Sequence, residues 1–159
     1  MKKLELMNLF EIQITNAQNL LTQAALVAHQ AATHAESKAE DKYDTRGLEA
    51  SYLAGAQSKR AMELDELFAL YKYADLKAFG PTTPIASTAL IQLESENKRS
   101  FYLMMPKGGG MAVEFHGRTV QAITPQAPMG RALLGRCVGD EVRVDIQGKF
   151  RDYLIVSVE

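Results

Sequence analysis

The chain has one cysteine, no tryptophan and no proline before Pro81. Cys137 therefore has no partner for an internal disulfide, which fits a reducing compartment. No apolar run reaches the ~18 residues that a membrane-spanning helix needs, so no membrane partner is expected. Glu5 and Asn8 fall where a signal peptide needs its apolar centre, and the chain is expected to stay unexported. Net charge is −1, so there is no bulk cationic excess to mark nucleic acid as a direct partner. Known catalytic signatures are missing too. Gly108-Gly109-Gly110 lacks the lysine and following helix of a phosphate loop, and reads as a turn. His29 and His34 do not share a helical face well, and His116 stands alone in the sequence. No histidine-cysteine cluster has metal-site spacing, and no nucleophile elbow is present.

What the first half does contain is a ladder. Met7, Phe10, Ile14, Ala17, Leu21, Ala24, Ala28, Ala31 and Ala35 alternate three and four residues apart. This is an a/d seam over roughly four heptads. It stops at the acidic stretch Glu40-Asp41-Lys42-Tyr43-Asp44. A second helix then carries Leu64, Leu67, Tyr71, Ala74 and Ala78 at the same spacing. Two long helices with one short break predict an antiparallel hairpin. Each arm is roughly 35 residues, or about 50 Å at the helical rise. Near the tip the seam is small: Ala24, Ala28, Ala31 and Ala35 face Ala50, Leu53, Ala54, Gly55 and Ala56. That predicts a thin rod, either as plain close packing or as a probe for a narrow opening.

Phe79-Gly80-Pro81-Thr82-Thr83-Pro84 ends the helical part, because glycine and proline cannot continue it. The period then changes from helical to two-fold. Strands are expected over 87–93, 100–105, 111–115, 119–123, 141–146 and 150–158, with a short helix at 129–134 closed by Gly135. The predicted organisation is a helical hairpin over 1–79, a linker over 80–84 and a small antiparallel sheet domain over 85–159. The fold class is α+β.

Glu40, Asp41 and Asp44 sit within five residues, and Glu49 follows. Carboxylate oxygens suit a hard divalent cation such as Mg²⁺, but one or two on a turn form an incomplete site. Acids also favour helix N-termini, and Asp44 precedes the second helix as a cap does. Both readings stand at this point. His116, Arg118, Arg131 and Arg136 lie in an acid-free stretch, 115–139, which suits either a partner face or ordinary surface.

Thr124-Pro125-Gln126-Ala127-Pro128-Met129-Gly130-Arg131-Ala132-Leu133-Leu134-Gly135-Arg136, followed by Val138-Gly139-Asp140-Glu141-Val142, resembles a segment of the Gre family of bacterial transcript-cleavage factors. Glu49-Ala50-Ser51-Tyr52-Leu53-Ala54 is similar to that family's tip-proximal segment. The resemblance covers nearly the whole chain. It implies an FKBP-like C-terminal domain that docks at the rim of RNA polymerase's secondary channel, with Arg118, Arg131 and Arg136 as partner-binding candidates. It implies a hairpin that enters the channel, and two tip carboxylates that help hold a Mg²⁺ of the polymerase active centre. The polymerase would then cut the 3′ end of backtracked RNA by two-metal chemistry. The chain would be the polymerase's helper and no enzyme itself, acting in the cytoplasm.

Asp41-Lys42-Tyr43-Asp44 has the family's acidic spacing, with aspartate in place of glutamate at the second position. Asp41 and Asp44 are thus the expected assisting and metal-holding pair, with Glu40 and Glu49 as further tip acids. Counting back from Tyr52 instead puts the acidic positions on Thr45 and Leu48, neither of which is acidic. Two other readings remain open: a channel regulator that does not stimulate cleavage, and a coiled-coil interaction or chaperone-like module. A prolyl isomerase reading is weak, since the sheet region has few aromatics and fold analogy alone carries no activity.

Overall fold

The computed structural model describes residues 2–33 and 46–159. Helix α1 spans Lys2–Thr33 and α2 spans Arg46–Lys72. Strands β1 (Leu90–Ser95), β2 (Lys98–Met104), β3 (Ala112–Phe115) and β4 (Arg118–Ile123) follow, then helix α3 (Pro128–Leu133), β5 (Glu141–Ile146) and β6 (Lys149–Val158). The expected α+β order is present. Two compact units divide the chain: Met1–Phe10 with Leu70–Glu159, and Glu11–Ala69.

The ladder on α1 holds at its base and slips further on. Met7, Phe10 and Ile14 are buried, and Ala17 and Leu21 are half-buried. After Leu21 the covered positions step by four to Ala25 and by three to Ala28, leaving Ala24 and Ala31 exposed. A strict seven-residue repeat drifts by ~20° per heptad on a straight helix, and a step of four restores the stripe. On α2, Leu64 and Tyr71 are buried, with Leu67 and Phe68 half-buried. Gln18 Nε2 donates to Asp65 Oδ1 at 2.6 Å across the pair. The alanine-rich part of α2 is not a tight seam. Leu53 is 52% exposed, and Ala54, Gly55 and Ala56 are exposed as well. Ala35 and the acids Glu40, Asp41 and Asp44 lie outside the described residues.

α2 ends at Lys72, so Ala74 and Ala78 do not extend its seam. A threonine from beyond the helix takes over the backbone there. Thr88 Oγ1 donates to the Asp75 carbonyl at 3.1 Å and accepts from the Lys77 amide at 3.3 Å. Thr88 is buried and sits at φ 71, a left-handed conformation that is costly for a β-branched residue. Its two side-chain bonds, and its amide donating to the Met104 carbonyl, hold it there. The left-handed turn also explains why β1 starts at Leu90 and not at Ser87. The stretch expected as a linker is tied down. Gly80 N–H donates to Thr83 Oγ1, and Val138 N–H donates to the Pro81 carbonyl. Phe79 packs against the sheet's core.

The sheet has six strands in the order β3-β4-β2-β1-β6-β5. All neighbours are antiparallel except β2 and β4, so the sheet is mixed where alternation alone predicts an antiparallel one. Three two-residue turns, Glu96-Asn97, His116-Gly117 and Gln147-Gly148, have φ > 0 at both positions. That geometry matches strand twist in a tight hairpin. One face carries the main core: Ile91, Leu93, Met104, Ile123, Tyr153, Ile155, with Met129 and Leu133 from α3. A register shift between Gln92 and Leu93 against β6 changes the strand's parity, so Ile155 and Val158 both reach that core three residues apart.

The bases of both helices belong with the sheet. Leu6, Met7, Phe10 and Tyr71 are all under 2% exposed. Phe10 and Tyr71 rings meet at 5.4 Å, and Tyr71 Oη donates to the Lys107 carbonyl at 3.3 Å. Lys3 Nζ donates to the Lys77 carbonyl and lies 4.7 Å from the centre of the Phe79 ring. Residue numbers rise on α1 as they fall on the partner segment, so the pair is antiparallel.

Two glycines should respond in opposite directions to alanine. A Cβ at Gly130 would meet the Thr124 carbonyl oxygen at 1.9 Å, and at Gly55 it would meet nothing within 4 Å among the described residues. Gly130→Ala should destabilise by about 1–3 kcal/mol or more. Gly55→Ala should stabilise by roughly 0.5–1 kcal/mol. Urea unfolding followed by circular dichroism checks both.

Burial pushes the Tyr71 hydroxyl above the ordinary tyrosine range. A raised folded-state value means that its stabilisation is full below the unfolded value of about 10 and is lost as pH rises through the folded value. Tyr71→Phe should cost about 0.5–1.5 kcal/mol at pH 8 through the lost bond to Lys107. Between pH 8 and pH 11 the variant should lose less stability than the wild type. Chemical denaturation at the two pH values measures this; equal losses would exclude Tyr71 as the source.

Candidate functional site

Of the four tip acids, only Glu49 is among the described residues. It is exposed in the first turn of α2, where a negative charge complements the helix dipole. Glu40, Asp41 and Asp44 belong to the sequence between α1 and α2, outside the described residues. Among the described residues, no three His, Cys, Asp or Glu side chains form a group that could hold a metal ion.

Arg131 lies on α3, and Arg136 follows just past its end. Pro128 stands in its first turn, where the missing N–H costs nothing. Gly130 lets the helix backbone press on the Thr124 carbonyl, and Ala127 N–H donates to that same oxygen at 3.0 Å. Gly135, at φ 77, ends the helix in the left-handed conformation. Its N–H donates to the Ile85 carbonyl, while Ile85 N–H donates to the Arg136 carbonyl at 2.8 Å. Met129 and Leu133 face inward, so the Arg131 and Arg136 side chains stay on the outside, both exposed.

Arg118 is on the other face of the sheet. It shares strand parity with Val120 and Ala122, which are buried but do not join the core under α3. Its guanidinium lies 4.8 Å from the centre of the Phe101 ring. Parallel pairing of β2 with β4 brings them together, with Phe101 opposite Val120. Of the three arginines read from one acid-free stretch, Arg131 and Arg136 thus lie on and just after α3, and Arg118 on a strand with its ring contact to Phe101.

Around Arg118 is a cleft of about 220 Å³, floored by Leu90, Phe101, Phe115 and Val120 and edged by Gln92 and His116. His116 is not isolated in the fold. Its ring meets Phe115 at 4.2 Å, and its Nε2 is 3.5 Å from Glu5 Oε2 at the base of α1. No sequence spacing points to this cleft, because its lining comes from five strands. Among the described residues, every buried side-chain nitrogen or oxygen has a hydrogen-bond partner. Neither face thus shows an orphan polar group awaiting a ligand.

Residues 85–159 match the family described as Transcription elongation factor, GreA/GreB, C-term. The match spans β1 to β6 and includes α3 with Gly130, Arg131 and Arg136. Transcription elongation factor GreA of Syntrophus aciditrophicus (strain SB) is 26% identical over 129 residues, covering 80% of this chain and 74% of that protein. GreA factor homolog 1 (Gfh1) of Thermus thermophilus is 18% identical, with 94% of each chain covered and a TM-score of 0.39. The GreA/GreB structure from Nitrosomonas europaea is 24% identical over 69% of this chain and 90% of that chain, with a TM-score of 0.37. The sequence matches identify residues 85–159 as similar to the GreA/GreB C-terminal domain of transcription elongation factors, and the chain as similar to a GreA over 129 residues.

Proposed function

We propose that this chain binds RNA polymerase at its secondary channel and carries the acids of segment 40–44 toward the active centre. The match of residues 85–159 to the GreA/GreB C-terminal domain supports this most directly. The position of Glu40, Asp41 and Asp44 in sequence, between the two long helices, supports it further. The polymerase performs the chemistry, so the chain is a factor and not an enzyme, and it works where the polymerase is, in the cytoplasm. Asp41 and Asp44 act as carboxylate ligands that become useful when the polymerase completes the Mg²⁺ site. The metal, when bound there, activates water and stabilises the oxygen leaving the cut RNA. This chain's own part is to supply negative oxygens from the segment between its two long helices. DNA is not a direct partner, and RNA is reached only through the polymerase.

A second reading within the same family is a channel-bound regulator that does not stimulate cleavage. The alignment from Tyr52 favours it, since it leaves Thr45 and Leu48 at the acidic positions.

Asp41→Asn with Asp44→Asn should leave polymerase affinity within a few-fold of wild type and abolish stimulated cleavage of a backtracked transcript in Mg²⁺. A wild type that binds without cleaving establishes the regulator reading. A double variant that cleaves at the wild-type rate removes Asp41 and Asp44 from the mechanism.

Docking tests the arginines in the whole chain, because a piece starting at Pro81 would lack Leu6, Met7, Phe10 and Tyr71. Arg131→Ala with Arg136→Ala should weaken polymerase binding by about tenfold or more, as removal of central cationic anchors does. Arg118→Ala, on the other face, should change it by less than about threefold, the effect of a charge at most at an interface rim. The reverse pattern in a titration with core polymerase would move the docking surface to the cleft.

A further inference from the structure

The cleft beside Arg118 lies on the sheet face away from α3, and neither the tip acids nor the arginines near α3 make use of it. Ile91 and Leu93 join the core under α3, so strand alternation turns Leu90 and Gln92 to this face. Leu90, Phe101 and Phe115 are half-buried and Val120 is buried, which makes the floor apolar and open to a ligand. What the cleft lacks is a counter-charge. Three ionisable side chains stand on its rim: His116, Arg118 and Glu159. His116 has Glu5 at 3.5 Å. Burial pushes the Lys3 amine down and the charge of Glu159 pulls it up, so Glu159 has Lys3 as its cation. Arg118 rests on the Phe101 ring and pairs with no acid among the described residues. On the same rim Ser157 Oγ donates to Gln92 Oε1 at 3.4 Å, which leaves the Gln92 amide nitrogen as a donor.

One unpaired cation beside an apolar floor selects a ligand with a single negative charge and an apolar body. The planar guanidinium matches a carboxylate edge to edge. A second negative charge would have no cation of its own and would stand near Glu159, which disfavours a phosphate ester. Phe101 and Phe115 favour a flat ring, because aromatic faces and edges pack well on one another. Size narrows the choice further. Clefts for drug-sized ligands measure ~300–1,000 Å³, and this one holds about 220 Å³. That admits one ring or two fused rings, and is too small for a nucleotide or a peptide segment. We infer that the cleft binds a small aromatic monocarboxylate, its ring on the floor of Leu90, Phe101 and Phe115 and its carboxylate on Arg118. The inference does not depend on polymerase binding.

Titration of the full, isotope-labelled chain with 2-naphthoate, followed by nuclear magnetic resonance, tests it. The amide signals of Phe101, Phe115, His116 and Arg118 should shift and saturate with a Kd of about 1 mM or tighter. The alcohol 2-naphthalenemethanol has the same rings without the charge, and should bind about three- to tenfold more weakly. Arg118→Gln should bring the acid down to the affinity of the alcohol. Its unchanged binding of the alcohol would show that the cleft persists in the variant. Arg118→Lys, which keeps the charge without the planar fork, should retain part of the preference for the acid. Phe115→Ala should weaken both ligands by at least about threefold through the lost ring contact. Arg131→Gln, on the α3 side, should change neither. A wild type that binds acid and alcohol equally overturns the inference. So do shifts centred on α3 instead of the cleft, or no saturation below about 10 mM.

Discussion

The ring contact between Phe10 and Tyr71 joins the bases of the two helices inside the unit that holds the sheet. Both residues are buried, and both fall in the compact unit that contains all six strands. Full burial of a large apolar side chain contributes roughly 1.5–3 kcal/mol relative to leaving it exposed. Leu6, Met7, Phe10 and Tyr71 together are thus a substantial part of what holds that unit. The Tyr71 hydroxyl, donating to the Lys107 carbonyl, adds direction to a contact that would otherwise be non-specific. The first residues of α1 and the last of α2 fall in the same compact unit as the sheet.

A second set of joints fixes the rest of that unit. Thr88 accepts a left-handed backbone because its hydroxyl bonds to Asp75 and Lys77, the segment that leaves α2. Gly130 lets α3 touch the Thr124 carbonyl, and Ile85 clasps the helix exit through two backbone bonds. Much of the family-like segment from Thr124 to Arg136 is therefore occupied in building α3. Arg131 and Arg136 are among the members whose side chains stay exposed, with Gln126 and Leu134.

The other unit is built differently. Around Ala54, Gly55 and Ala56 the helix surface is exposed and small, and little in it resists substitution. Polar contact across the pair comes from Gln18 and Asp65, nearer the base. The alanine ladder has the correct spacing for a seam, yet alanine gains so little from burial that spacing alone does not decide which side faces inward. Met7, Phe10 and Ile14 were legible because large side chains must be buried somewhere. Ala24 was not, because a step of four to Ala25 costs almost nothing. The acids at Glu40, Asp41 and Asp44 were legible as a cluster from sequence, and their chemistry is carried by that alone.

The sequence by itself determined the order of elements, the two-residue turns, and the presence of two long helices ahead of a sheet. Those follow from local rules: periodicity, turn residues and the stiffness of proline. Only the tertiary structure decided that β2 and β4 run parallel, that Arg118 stacks on Phe101 away from Arg131 and Arg136, and that His116 meets Glu5. Those depend on which distant strands become neighbours. Strand pairing across a crossover is set by the total core that the chain can bury, and no short window of residues contains that information.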